Sequence, residues 1–248
     1  MQTERVVLVT GGSRGLGRAI VRRFAASGQL VAFSYRGAAT TAQALRTELQ
    51  DQGHECLAIQ ADATNPAQVD TLFCEVEAIL GTVAVLVNNV GERRPGLVSR
   101  TTDSQWRRGL ASNLDAAFYA TRRASLEMIK SRFGRIINVG SAAAVMGVPG
   151  DAAYASAKAG LIGLTRSVAR ELAPRNVTCN LVLPGIIDAG MTSDVQASAQ
   201  EEILRRVPSR RLGQDVEVAH VVHALASDEA GYVNGVVLPV DGGLSMGS

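Results

Sequence analysis

Three observations predict an α/β fold, a doubly wound parallel sheet with helices on both faces. Short apolar runs rich in β-branched residues recur at seven places along the 248 residues. Segments of helical periodicity separate most of them, and strands alternating with helices give a parallel sheet. A cluster of glycines, Gly11, Gly12, Gly15 and Gly17, follows the first run and opens a helix, the place where such sheets approach a ligand.

The strands are expected at 6–9, 30–33, 56–60, 83–87, 135–139, 177–183 and 235–240, each bounded by Gly, Asn, Asp or Pro. Between them, apolar residues spaced three and four apart mark helices, as in Leu16, Ala19, Ile20 and Phe24 or Leu161, Leu164, Thr165, Val168 and Leu172. The alternation runs unbroken from Val6 to Gly243, so 1–248 is expected to form one domain. Residues from about 188 to 211 break the pattern after the sixth strand, and a long excursion at that edge is expected to be a lid or substrate loop. Trp106 is expected to pack at a helix start capped by Asp103.

Composition narrows the class. With 46% apolar and 19% charged residues the chain has the makings of a large core. A formal charge of +2, with the basic residues scattered, argues against a nucleic-acid partner. Residues 1–5 lead straight into the first strand and no apolar run nears bilayer length, so a cytoplasmic protein without signal peptide or membrane anchor is expected. Cys56, Cys74 and Cys179 form no CxxC pair and are expected to be reduced, buried thiols. His220 and His223 lie three apart without a third ligand in view, and no metal site is expected.

The chemistry-bearing residues cluster late in the chain. Tyr154 and Lys158 are one helical turn apart, which puts phenol and ammonium on one face. A cation held there would draw the phenol down from its usual value of about 10 toward the range of an effective proton donor. Ser141 follows the fifth strand, at a carboxyl end where its hydroxyl can reach a substrate oxygen. The glycine turn suits a pyrophosphate at a helix N-terminus. The second strand ends in Ser34, Tyr35 and Arg36 with no acidic residue to take a ribose 2′-hydroxyl. Arg14 and Arg36 suit a 2′-phosphate instead, which selects NADPH/NADP+ over NADH. Asp62 after the third strand is a candidate acceptor for the adenine amine, and 88–91 a candidate cofactor lining.

These residues together resemble the short-chain dehydrogenase/reductase family. The match is carried by Thr10-Gly11-x3-Gly15-x-Gly17, Asn88-Asn89-Val90-Gly91, Asn113, Ser141, Tyr154-x3-Lys158 and Pro184-Gly185. The resemblance implies a Rossmann-type fold, commonly a homotetramer, in which Tyr154 is the general acid and Ser141 holds the carbonyl. Lys158 lowers the tyrosine pKa and binds the ribose, and Asn113 anchors a proton-relay water. It implies cofactor contacts from Gly11, Ser13, Arg14, Gly15, Leu16, Gly17, Tyr35, Arg36, Asp62, Ala63, Asn89, Gly91, Pro184, Gly185 and Ile187. Within the family the glycine turn, the Ser34-Tyr35-Arg36 ending and the tail 234–243 are most similar to β-ketoacyl-acyl-carrier-protein reductases. That likeness implies a 3-oxoacyl thioester on acyl carrier protein as substrate, in fatty-acid or polyketide/polyene synthesis, with Arg132 and Arg175 beside the site as carrier contacts. A free ketone, steroid or sugar alcohol is the alternative substrate class, and a silent dinucleotide sensor the alternative role. Three departures stand out: Val90 for the usual alanine, Ala189 where the pattern leads to a threonine, and the charged run Glu92-Arg93-Arg94-Pro95 where the acyl chain enters.

Overall fold

Alternation along each strand divides the apolar residues between two helical layers, and this division is what the seven-stranded sheet is built on. The computed structural model describes residues 4–188 and 204–247. Its main sheet contains β1 (Val6–Val9), β2 (Leu30–Tyr35), β3 (Cys56–Gln60), β4 (Val83–Asn88), β5 (Gly134–Val139), β6 (Val177–Pro184) and β9 (Val237–Val240). The order is β3-β2-β1-β4-β5-β6-β9. Every pairing is parallel. Val7, Val9, Val31, Phe33, Val85, Val87 and Ile137 point to one side, against α1 (Gly15–Ala25), α2 (Ala39–Asp51) and α8 (Asp215–Leu225). Val6, Leu8, Ala32, Leu86 and Ile136 point to the other, against α3 (Pro66–Ile79), α5 (Ala116–Ser131) and α7 (Ala152–Leu172).

All seven expected strands form. The last begins at Val237 rather than at Gly235, because Gly235 turns with φ +76° and donates its amide to Cys179 O at 2.9 Å. Two further strands were not legible. β7 (Ile187–Asp188) and β8 (Gly213–Gln214) pair in a two-residue ladder. They flank the expected lid at about 188–211, of which residues 189–203, including Ala189, lie outside the described residues.

Other expectations are corrected. Thr102, not Asp103, caps α4 (Asp103–Leu110), because its hydroxyl accepts from Gln105 N while the Gln105 side chain accepts from Thr102 N in a reciprocal box. Trp106, expected to pack at the start of that helix, is 39% exposed on it. Cys56 and Cys179 are buried thiols as expected, whereas Cys74 is exposed on α3. His223 packs on Phe24 with ring centroids 5.2 Å apart.

A buried polar chain crosses the sheet beneath the site. Asn88 Nδ2 donates to Thr121 Oγ1 (2.9 Å) and Asn138 Oδ1 (2.8 Å), and Asn138 Nδ2 donates to Thr165 Oγ1 (2.8 Å). It ties β4 and β5 to α5 and α7, and Asn138 is fully buried. Removing its amide strands polar groups on both sides, and each orphaned group costs on the order of 1–3 kcal/mol. Asn138→Ala is therefore expected to lower stability by about 3 kcal/mol, read as a fall in the urea midpoint with unchanged slope.

Candidate active site

The site begins at the point where the strand order reverses, between β1 and β4. Chains leaving the carboxyl ends of these neighbours diverge and open a crevice there. Asn89 bridges its floor, donating from Nδ2 to Thr10 O (3.1 Å) and Gly11 O (3.0 Å), while its amide donates to Thr10 Oγ1 (3.0 Å). The glycines of the first turn are steric requirements. Gly11 has φ +68°, and a Cβ on Gly17 would collide with Gly11 O and Asn89 Nδ2. Gly15 has open space where a side chain would stand, but its φ of +52° is one that L side chains rarely adopt. Val90 packs directly on this turn, its Cγ2 only 3.1 Å from where a Gly11 Cβ would lie.

The residues present fit a nicotinamide dinucleotide. No side chain caps the N-terminus of α1 and no acid lies in its first turn, so its amides remain available to a pyrophosphate. Ser13 is buried in the turn and Leu16 packs against the core behind it. Arg14 and Arg36 are both exposed, and among the described residues neither side chain has an ion-pair partner. Tyr35 faces the core, leaving only its backbone toward the crevice. Ala63 is buried next to Asp62. One Asp62 oxygen is already taken by Thr64 N (2.9 Å) and Oγ1 (2.7 Å) in a tight turn, bonds that hold the carboxyl below its ordinary value despite partial burial. Pro184 ends β6. Gly185 lies so close to Asp241 that a Cβ would come within 2.7 Å of its Cα, and Ile187 lies in β7.

Tyr154, Lys158, Ser141 and Asn113 converge beside this crevice. Ser141 stands just past β5, where Ala142 N donates to Pro184 O (2.9 Å) and Ser141 Oγ accepts from Ala143 N (3.2 Å). Asn113 lies in a π-helical turn, Ala111–Asp115, an irregularity common at functional sites. Its Nδ2 donates to Glu92 O and Gly109 O, both at 2.9 Å, and its Oδ1 accepts from Glu92 N at 3.1 Å. Gly91 is required alongside, since a Cβ there would stand 2.9 Å from Asn113 Oδ1 and 3.2 Å from Lys158 Nζ.

The electrostatics involve more charges than Lys158 alone. Lys158 is buried, donates to Val139 O at 2.8 Å, and has its pKa pushed down to about 8 by burial. Its Nζ is 5.9 Å from the Tyr154 ring centroid. Burial raises the Tyr154 phenol above its ordinary value, and the groups pulling it back are the Ser141 hydroxyl and the Arg93 guanidinium, with Asp151 acting the other way. Arg93 is thus a further cation acting on the phenol, and Lys158, with one N–H on Val139 O, keeps two more for a ligand.

Asp151 and Arg93 escaped the sequence reading. Asp151 is only 2% exposed, and both its carboxylate oxygens accept from Arg93 Nε, at 2.9 and 2.8 Å. Its side chain therefore ties the loop after β4 to the start of α7 instead of capping that helix. An acid three residues before the tyrosine was the available signal, but nothing in the sequence paired it with an arginine 58 positions away. Arg132 and Arg175 are not beside the site within one chain. Both precede strands, β5 and β6, at the amino edge, about 20 Å from Ser141 along β5.

A parallel sheet with a glycine crevice at its switch point and a serine, tyrosine and lysine at its carboxyl edge defines an oxidoreductase of the short-chain dehydrogenase/reductase class. The chain belongs to that class by sequence as well, for residues 11–245 match the family described as "Enoyl-(Acyl carrier protein) reductase". Members of this class work with a nicotinamide dinucleotide. The chain is 39% identical over 246 residues to the 3-oxoacyl-[acyl-carrier-protein] reductase FabG of Staphylococcus aureus, covering 99% of this chain and all of that one. It is 42% identical over 244 residues to the 3-oxoacyl-[acyl-carrier-protein] reductase MabA of Mycobacterium bovis, covering 98% and 94%. A solved double-variant structure of a Serratia marcescens short-chain dehydrogenase/reductase superposes with a TM-score of 0.91 at 37% identity, covering 97% of this chain and 98% of that one.

The opposed effects of Arg93 and Asp151 on the phenol are open to direct test. Removing the cation in Arg93→Met leaves the phenolate less favoured, so the Tyr154 ionisation moves to higher pH, and removing the anion in Asp151→Asn moves it lower. Tyrosinate absorbance against pH, taken as the difference from Tyr154→Phe, reads both shifts, and shifts of the same sign would refute the assignment.

Proposed function

We propose that this enzyme reduces the 3-oxo group of an acyl thioester carried on acyl carrier protein, with NADPH as donor, in the cytoplasm. Fatty-acid and polyketide or polyene synthesis both use such a step. The observation that carries the reading is the convergence of Ser141, Tyr154, Lys158 and Asn113 at the mouth of the glycine crevice. The two relatives named for 3-oxoacyl-acyl-carrier-protein reduction support the substrate.

In this reading NADPH, when bound, supplies the hydride. Gly11, Ser13, Gly15 and the first amides of α1 hold its pyrophosphate, Arg14 and Arg36 its 2′-phosphate, and Lys158 a ribose. Ser141 and Tyr154 donate hydrogen bonds to the carbonyl oxygen, aimed where negative charge develops, and Tyr154 releases its proton to that oxygen. The phenol, whose ordinary pKa of about 10 is raised further by burial, is protonated at neutral pH, as a proton donor must be. Asn113 holds the loop at Glu92 in register with these groups, and anchors the water that returns a proton. Arg132 and Arg175, at the amino edge, serve a carrier that delivers to the site of another copy, an arrangement that the proposed homotetramer allows.

Consumption of NADPH with an acetoacetyl carrier-protein thioester tests this directly. Tyr154→Phe is expected to lose at least about 100-fold in kcat/KM, the usual share of a positioned acid. Arg36→Ala is expected to raise KM for NADPH by about tenfold while leaving that for NADH nearly unchanged. Charge reversal at Arg132 and Arg175 should raise KM for the carrier thioester but not for its N-acetylcysteamine counterpart. Turnover of a crotonyl thioester in place of the 3-oxo compound would transfer the assignment to enoyl reduction, the activity in the family description.

A further inference from the structure

Beside Tyr154 lies a cavity of about 270 Å³ whose wall is unusually cationic for a pocket meant to take an acyl chain. Three arginines, Arg94, Arg100 and Arg108, line it against a single carboxylate, Glu92. Resting on the ketone-reduction reading above, we propose that this cavity is an anion subsite, selecting 3-oxoacyl substrates whose acyl chain ends in a carboxylate a few atoms beyond the reacting carbonyl.

The cations are held in place. Glu92 Oε1 accepts from Arg94 Nε at 2.6 Å, and Glu92 Oε2 accepts from Arg108 Nε at 3.1 Å, so one carboxylate posts two guanidiniums. Both arginines keep unspent N–H groups, since Arg94 gives one to Glu92 and Arg108 two. Arg100 is exposed, and among the described residues its guanidinium has no ion-pair partner. Glu92 is itself fixed, because the fully buried amide of Asn113 grips its backbone from both sides. The subsite is thereby built onto a residue of the reaction site, which preorganises it at a set distance from Tyr154.

The other wall is equally specific. Gln105 and Arg108 lie one turn apart on α4 and face the cavity together. Gly109 lets α4 approach α7 closely, since a Cβ there would come within 2.8 Å of Ala153 Cβ. That contact brings Arg108 within the same cavity as Tyr154. A carboxylate entering here pairs with that charge bidentately, whereas a neutral alkyl tail gains no such pairing.

Size sets the length. A volume of 270 Å³ equals about nine water volumes. Because Tyr154 and the three arginines line one cavity of that volume, a short chain suffices to run from the carbonyl to the guanidiniums. The phosphate of a carrier's pantetheine arm offers the same anionic chemistry, but it lies at the far end of an arm longer than this cavity.

Two readouts test the subsite. The first is the ratio of kcat/KM for a 3-oxoadipyl N-acetylcysteamine thioester to that for the 3-oxohexanoyl one. It is expected to exceed about tenfold at low salt, and to fall by about tenfold in Arg100→Gln and in Arg108→Gln. The second is ligand-detected NMR of adipate, with dimethyl adipate as neutral control, in which adipate binding is expected in the parent and lost in the double variant. Turnover without carboxylate preference and without adipate binding overturns the subsite while leaving ketone reduction intact. Adipate binding that depends on the arginines, with neither thioester reduced, supports the anion site but overturns the reaction. A preference for phosphopantetheine over pantetheine thioesters that disappears in the variants, with no adipate binding, overturns the acyl-end assignment and gives the arginines to the carrier arm.

Discussion

A parallel sheet whose strand order reverses must leave two neighbouring strands sending their chains in opposite directions, and here those strands are β1 and β4. Everything the site contains is hung from that divergence. The glycine turn follows β1, the Asn89–Gly91 segment follows β4, and Ser141 follows β5, the next strand over. Asn89 closes the floor of the crevice by accepting no freedom at all, its amide and backbone bonded to Thr10 and Gly11. Below, the Asn88–Asn138–Thr165 chain holds the same strands to α5 and α7 by buried hydrogen bonds. Asn138, whose amide oxygen and nitrogen are both paired, fixes one packing of helix on strand.

The second organising contact is the pair Arg93–Asp151. A buried carboxylate left alone would be costly, and it would raise the phenol three residues away still further. Pairing with Arg93 offsets both effects. It also couples the charged loop after β4 to the helix that carries Tyr154 and Lys158, so the run Glu92-Arg93-Arg94 divides its work: Arg93 serves α7, while Glu92 and Arg94 face the cavity. Lys158 meanwhile gives one N–H to Val139 O, and burial brings its pKa down to about 8.

Much of this was legible before folding. The seven strands and the two faces of helices follow from short β-branched runs alternating with helical periodicity, signals that depend only on neighbours in sequence. Three of the four candidate site residues were legible too, since Tyr154 and Lys158 are one turn apart and Ser141 ends an apolar run, whereas Asn113 came only from the family resemblance. The ladder of Ile187–Asp188 with Gly213–Gln214 was not, because two-residue strands have no period to read. The helix cap at Thr102 was displaced by one residue because Thr and Asp are both competent caps, and only the bond to Gln105 chooses between them.

The sequence by itself determined the class of fold, the glycine turn and the pairing of Tyr154 with Lys158 on one helical face, because each rests on local spacing or on one residue's steric demand. Tertiary structure decided which charges act on them. Asp151 found Arg93 across 58 positions, Glu92 gathered Arg94 and Arg108, and Arg132 and Arg175 were carried to the opposite edge of the sheet from Ser141. Electrostatic influence falls with distance in space and depends on burial, and neither quantity exists until the chain has folded.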